Sequence, residues 1–110
     1  MHYLIVGHGI AGCLLGHFLE RAGVQVTYLD APAQTAATSV AAGIINPITG
    51  RRYVKSWRVD DLLPAAQATY QALEADLGIS FYHERPLIRT LFNRGEENDW
   101  HARQLDEAYQ

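Results

Sequence analysis

The sequence predicts an α/β fold: an incomplete βαβ unit followed by the start of a second sheet. Three observations carry that prediction. A short apolar run, His2 to Val6, halts at a glycine. Apolar residues then recur at helical spacing from Ala11 to Ala22. A second β-rich run follows and closes on an acid, Asp30. Strand, glycine turn, helix and strand within about thirty residues make the opening of a Rossmann-like nucleotide-binding unit.

Taken in order, "HYLIV" reads as a strand buried on both faces, as in a parallel sheet. Ala11, Leu14, Leu15, Phe18, Leu19 and Ala22 line one face of the helix, and Gly23 stands where a left-handed cap is wanted. In "VQVTYLD", Val24, Val26 and Tyr28 share one side, with Thr27 and Leu29 on the other.

The glycine spacing has a chemical reading. Gly7 permits the tight turn out of the strand, Gly9 leaves room for a pyrophosphate, and Gly12 lets helix and strand pack closely. The first-turn N–H groups around Ile10, Ala11 and Gly12 then face the phosphates with the positive end of the helix dipole. Asp30, eighteen residues past Gly12, is placed to accept hydrogen bonds from a ribose 2′-hydroxyl and would repel a 2′-phosphate. The expected ligand is an adenine dinucleotide other than NADP.

Composition excludes several alternatives. With 110 residues, 48% of them apolar and 19% charged, the chain has ordinary globular chemistry. A formal charge of −3 with mixed signs gives no broad electrostatic case for binding DNA or RNA. The single cysteine, Cys13, cannot form an internal disulfide, and the five histidines show no zinc-ligand spacing, so no metal is expected. Cys13 itself reads as a small buried residue, and no histidine as catalytic. "IAGC" resembles a lipoprotein cleavage box, but no basic residue precedes it and Gly7, His8 and Gly9 break the apolar run. No stretch approaches the roughly 20 apolar residues of a membrane span. The expectation is a soluble, cytoplasmic protein.

Farther along, "ATSVAAGIINPITGRR" reads from composition alone as a small-residue surface loop. Asp60 or Asp61 suits an N-cap, with Pro64 in the first turn of a helix. Leu62, Leu63, Ala66, Tyr70, Leu73 and Leu77 make its core stripe, and Gly78 ends it. Ile79, Phe81 and His83 alternate, as do Leu87, Arg89 and Leu91, which predicts two strands joined at Arg85-Pro86. From Gly95 a weakly amphipathic helix carries Trp100, Leu105 and Tyr109. Arg51, Arg52, Lys55 and Arg58 form a basic cluster that reads first as a solvated face. A phosphate or carboxylate partner for Arg51 or Arg52 is the alternative, and a tRNA-facing patch a further one.

Two motifs carry a family resemblance. Gly7-x-Gly9-x-x-Gly12-x-x-x-Gly16, then Gly23-x-x-Val26-x-x-x-Asp30, resembles the N-terminal fingerprint of two-dinucleotide-binding flavoproteins. Ser39, Ala41, Ala42, Gly43, Ile44, Ile45 and Pro47 are similar to the flavin-side segment of the D-amino acid oxidase superfamily, which includes glycine oxidase and sarcosine oxidase. That resemblance implies FAD as cofactor, with Thr38 and Ser39 near the pyrophosphate or ribityl chain and Ala42 and Gly43 beside the flavin ring. It also implies an amine or amino-acid substrate, oxidised by hydride transfer to the flavin. The chain is expected to be an N-terminal fragment of such an oxidoreductase, inactive alone. Residues 1–59 would begin the FAD-binding domain and residues 60–110 the substrate domain. No catalytic residue is identified, and a homodimer through exposed strand edges is expected. An NAD-dependent dehydrogenase, or a non-enzymatic nucleotide-binding or assembly module, shares the opening βαβ and remains open from the residues themselves.

Overall fold

The computed structural model of the chain describes residues 1–31, 36–50 and 52–109. They form two compact units, Met1–Ile44 and Ile45–Gln110.

The first unit contains β1 (His2–Val6), α1 (Ile10–Arg21), β2 (Gln25–Leu29) and a single-turn α2 (Ala37–Val40). β1 and β2 pair in parallel, from His2 opposite Gln25 to Val6 opposite Leu29. Such pairing demands a crossover, and α1 is that crossover. The helix ends as its sequence requires. Gly23 adopts φ +77°, its amide reaches Glu20 O at 2.9 Å, and Val24 N reaches Leu19 O at 3.0 Å. Those two bonds are a Schellman closure, which consumes carbonyls that the last turn leaves without partners.

Packing departs from expectation in β1. Ile5, under α1, is 7% exposed, but Leu4 is 60% and Val6 75% exposed. The strand is therefore covered on one face, not both. Among the described residues its sheet has only two strands and one crossover helix, so nothing covers the second face. Cys13 is likewise half-buried, with Sγ donating to His8 O at 3.4 Å.

The second unit begins with a short antiparallel pair, β3 (Ile48–Thr49) and β4 (Val54–Lys55). Helices α3 (Val59–Leu77) and α4 (Arg94–Gln104) follow, then a 3-10 turn at Glu107–Tyr109. Its most buried side chain is Tyr53, 2% exposed and at φ +53°. Trp100 meets that ring edge-on at 5.3 Å, and the Arg89 guanidinium lies 4.5 Å from its centre.

Several expectations for this unit are corrected. Helix α3 starts after Arg58, not at Asp60 or Asp61. Lys55 Nζ holds the Asp60 carboxylate at 2.8 Å and Arg58 Nε holds Asp61 at 3.1 Å. Both acids therefore serve within the first turn, where negative charge suits the helix dipole. The earlier start places Pro64 in the second turn, inside the helix. The stripe is only partly buried: Leu63, Ala66, Tyr70 and Leu73 are half-covered, while Leu62 and Leu77 are exposed.

The two strands expected between Ile79 and Leu91 do not form. A strand ladder needs successive amides to point to opposite sides. Here Phe81 N and Tyr82 N both donate to Glu74 Oε1, at 2.6 and 2.7 Å. One carboxylate on α3 has taken two consecutive donors, which fixes the backbone in a non-ladder shape. Those bonds, Tyr82 first and then Phe81, hold the Glu74 carboxyl below its usual range. Helix α4 starts one residue before the expected Gly95, with Asn93 Oδ1 accepting from Glu96 N at 3.0 Å, and it carries Trp100 but stops at Gln104, so Leu105 and Tyr109 lie beyond it.

Candidate functional site

The glycine turn lies at the carboxyl ends of both strands. Gly7 N donates to Leu29 O at 2.8 Å, which sets the turn beside the residue preceding Asp30. Ligands of open α/β sheets bind at this end. Asp30 is exposed there, with Oδ1 accepting from Ala31 N at 3.0 Å. Its second carboxylate oxygen has no partner among the described residues.

Each fingerprint glycine answers to a physical constraint. Gly7 takes φ +99°, a region unfavourable to any side chain. A Cβ on Gly12 would fall 2.0 Å from Gly7 O and 3.3 Å from Ile5 Cγ2, so α1 touches the turn backbone directly. A Cβ on Gly9 would come within 3.1 Å of Thr38 Oγ1. Gly9 is also the N-cap of α1 and has no side chain to cap it.

Thr38 supplies what Gly9 lacks. Its Oγ1 accepts from Ile10 N at 3.1 Å, across twenty-eight positions of sequence. Helix α2 thus sets a hydroxyl against the first amide of α1. The amides of Ala11 and Gly12 have no partner among the described residues, as befits a helix start awaiting an acceptor. Ser39 faces elsewhere, with Oγ donating to Ala36 O at 2.7 Å. Ala42 and Gly43 are exposed, and Gly43 adopts φ +66°.

The structure therefore brings Gly7, Gly9, Ile10, Ala11, Gly12 and Thr38 together, with Asp30 at the same end of the sheet. Ser39, Ala42 and Gly43 lie along the segment that carries Thr38, and the Ser39 hydroxyl and amide bond to Ala36 O rather than to the glycine turn. A pyrophosphate fits this arrangement: two open amides, a helix N-terminus, and a glycine where a side chain would intrude.

One packing partner escaped sequence reasoning. Gly16 is the buried residue of α1, and a Cβ there would lie 1.8 Å from the Tyr28 hydroxyl oxygen. The fourth glycine thus admits the β2 phenol beneath the helix. Desolvation pushes the Tyr28 pKa up, with Glu20 and then Cys13 adding to it. His8 stays with this cluster, its ring 4.6 Å from that of Tyr28.

Two members of the basic cluster are paired with acids. Lys55 and Arg58 pair with Asp60 and Asp61 as described, and Arg58 also lies 5.5 Å from the Trp57 ring centre. Arg52 is exposed, while Arg51 lies outside the described residues. Among the described residues no group of three His, Cys, Asp or Glu side chains is placed to hold a metal, and no helix is long and apolar enough to cross a membrane.

Comparison with known proteins adds two findings. Residues 2–109 match the family model described as FAD dependent oxidoreductase. Over 55 residues the chain is 38% identical to an uncharacterized oxidoreductase, YurR, of Bacillus subtilis (strain 168). That match covers 50% of this chain and 15% of the relative. No solved structure matches significantly.

Proposed function

Since this chain belongs to the family of FAD-dependent oxidoreductases, we propose that it forms the part of such an enzyme that grips the adenine and pyrophosphate end of FAD, in an oxidoreductase acting on amines or amino acids. The observation that carries this reading is the junction of α1 and α2. The Thr38 hydroxyl holds the Ile10 amide, and the amides of Ala11 and Gly12 stay open beside a side-chain-free Gly9.

Those amides would donate to the pyrophosphate oxygens, aided by the α1 dipole. The Thr38 oxygen already accepts from Ile10, and its own proton remains available for a phosphate oxygen. Asp30 would accept from the ribose hydroxyls. The bound flavin supplies a two-electron acceptor for a carbon adjacent to nitrogen. This part of the protein contributes binding and orientation, the main levers an enzyme has over a cofactor that carries its own chemistry. Amines or amino acids as the substrate class rest on the flavin-side segment around Ser39 to Pro47.

Titration of the chain with FAD, followed by quenching of flavin fluorescence, tests the binding half. The expected result is saturable binding that Gly9→Val abolishes and Thr38→Val weakens about tenfold, the worth of one hydrogen bond at the upper end of its range. Binding unaffected by Gly9→Val would overturn the assignment. For the substrate half, amines and amino acids are added to the FAD-loaded, uninterrupted gene product. Bleaching of the visible flavin band by a member of that class supports it, and bleaching only by other substrates refutes it.

A further inference from the structure

Residues 79–84, "ISFYHE", combine a hazard with a restraint. The hazard is in the sequence. Ile79, Phe81 and His83 alternate with Ser80, Tyr82 and Glu84, and neither proline nor glycine interrupts the run. Six-residue runs of this kind, when exposed, are templates for pairing between chains. Ile79 and Phe81 are exposed. Gly78 precedes the run and Pro86 follows it by two residues, which confines any pairing to this stretch.

The restraint comes from one face of α3. Gln67, Tyr70 and Glu74, spaced three and four apart, are half-buried and meet the run in reverse order as it folds back along the helix. Glu74 Oε1 accepts from Phe81 N and Tyr82 N, and also from Ser80 Oγ at 3.3 Å. Tyr70 stacks on Tyr82 at 5.5 Å and meets Phe81 edge-on at 5.9 Å. Gln67 Nε2 donates to Glu84 Oε1. In a ladder the Phe81 and Tyr82 amides would point to opposite sides. A single oxygen that holds both is incompatible with one.

We propose that Gln67, Tyr70 and Glu74 form a clasp that keeps residues 79–84 from pairing edge to edge with a second copy of the chain. Glu74 is its decisive member, because it occupies backbone donors that pairing needs. Natural proteins guard strand edges with charge, proline or a covering element; here a helix guards a run before it becomes a strand. A second copy is the occupant the run fits, since identical alternating segments present the same apolar side to one another. The inference is independent of FAD binding, which concerns the other unit.

The test compares the full chain with Glu74→Ala, with Glu74→Gln, and with each of these combined with Phe81→Pro. Light scattering over a range of concentrations reports mass, and hydrogen exchange reports protection peptide by peptide. Glu74→Ala should lower the concentration at which mass rises by about tenfold or more, the worth of one hydrogen bond to a charged acceptor. New protection should appear in residues 79–84 of the assembled form. Glu74→Gln keeps an uncharged acceptor and should fall between Glu74→Ala and the parent. Adding Phe81→Pro removes a donor that a ladder requires and should return the mass to that of the parent, which general destabilisation would not do. A Glu74→Ala chain that associates like its parent, assembly that survives Phe81→Pro, or assembly that leaves residues 79–84 unprotected would each overturn the proposal. Should Glu74→Ala fail to fold, the same comparison with Glu74→Gln decides.

Discussion

Replacing Gly16 by alanine tests how tightly α1 is seated on β2. The added Cβ would lie 1.8 Å from the Tyr28 hydroxyl oxygen, 2.5 Å from Cζ and 2.7 Å from Cε1. Carbon contacts favour about 3.5–4.0 Å, so the ring must retreat by well over an ångström and lose its contact with His8. Overpacking of this kind costs about 1–3 kcal/mol. Alanine returns about 0.8–1 kcal/mol in helix propensity. The net effect is destabilisation of about 1 kcal/mol. With Tyr28→Val the obstruction disappears and only the propensity gain remains, so Gly16→Ala should then stabilise by about 1 kcal/mol. The sign reversal, a coupling of about 1–3 kcal/mol, is the signature. Both tryptophans, Trp57 and Trp100, lie in the other unit, so the assay is hydrogen exchange of the α1 amides. If Gly16→Ala changed their protection equally with and without Tyr28, the seating argument would fail.

Two further outcomes are expected. The Glu74 carboxyl is lowered from its ordinary 4.5 by the Tyr82 and Phe81 amides. Its folded value is depressed, so its contribution to stability is complete above pH 4.5 and is lost as pH falls through the folded value. The urea midpoint of Glu74→Ala should therefore trail the parent at neutral pH and converge with it in acid; a gap that persists below the folded value would remove Glu74 from the account. Pro64, in the second turn of α3, has no amide to offer the Asp60 carbonyl. Pro64→Ala should stabilise by about 1–3 kcal/mol and raise the thermal midpoint by several degrees, and a midpoint left unchanged or lowered would show that the proline is accommodated without loss.

The opening thirty residues were legible because each constraint there is local. Gly7 turns the backbone, Gly23 closes a helix, and Asp30 ends a strand, all within reach of their neighbours in sequence. The FAD-dependent family was legible for the same reason, since its fingerprint is a spacing. From Asp60 onward, side chains override pattern. Ile79, Phe81 and His83 alternate as a strand should, yet Glu74 removes the amides that a ladder would use. Asp60 and Asp61 look like caps, yet Lys55 and Arg58 claim their carboxylates. Tyr53, Arg89 and Trp100 carry no spacing signal at all; only folding brings them together. Thr38 was marked as a cofactor neighbour, but its bond to Ile10 belongs to tertiary structure.

That bond also bears on transplantation. Residues 1–30 contain every letter of the glycine fingerprint and would pass as a portable dinucleotide grip. They leave out the hydroxyl that caps the grip's own helix, which arrives from α2. A graft ending at Asp30 would carry α1 with its first amide bare, and a nascent chain emerging from the ribosome meets the same gap until Thr38 is made. The smallest transferable module therefore extends through α2, to Val40.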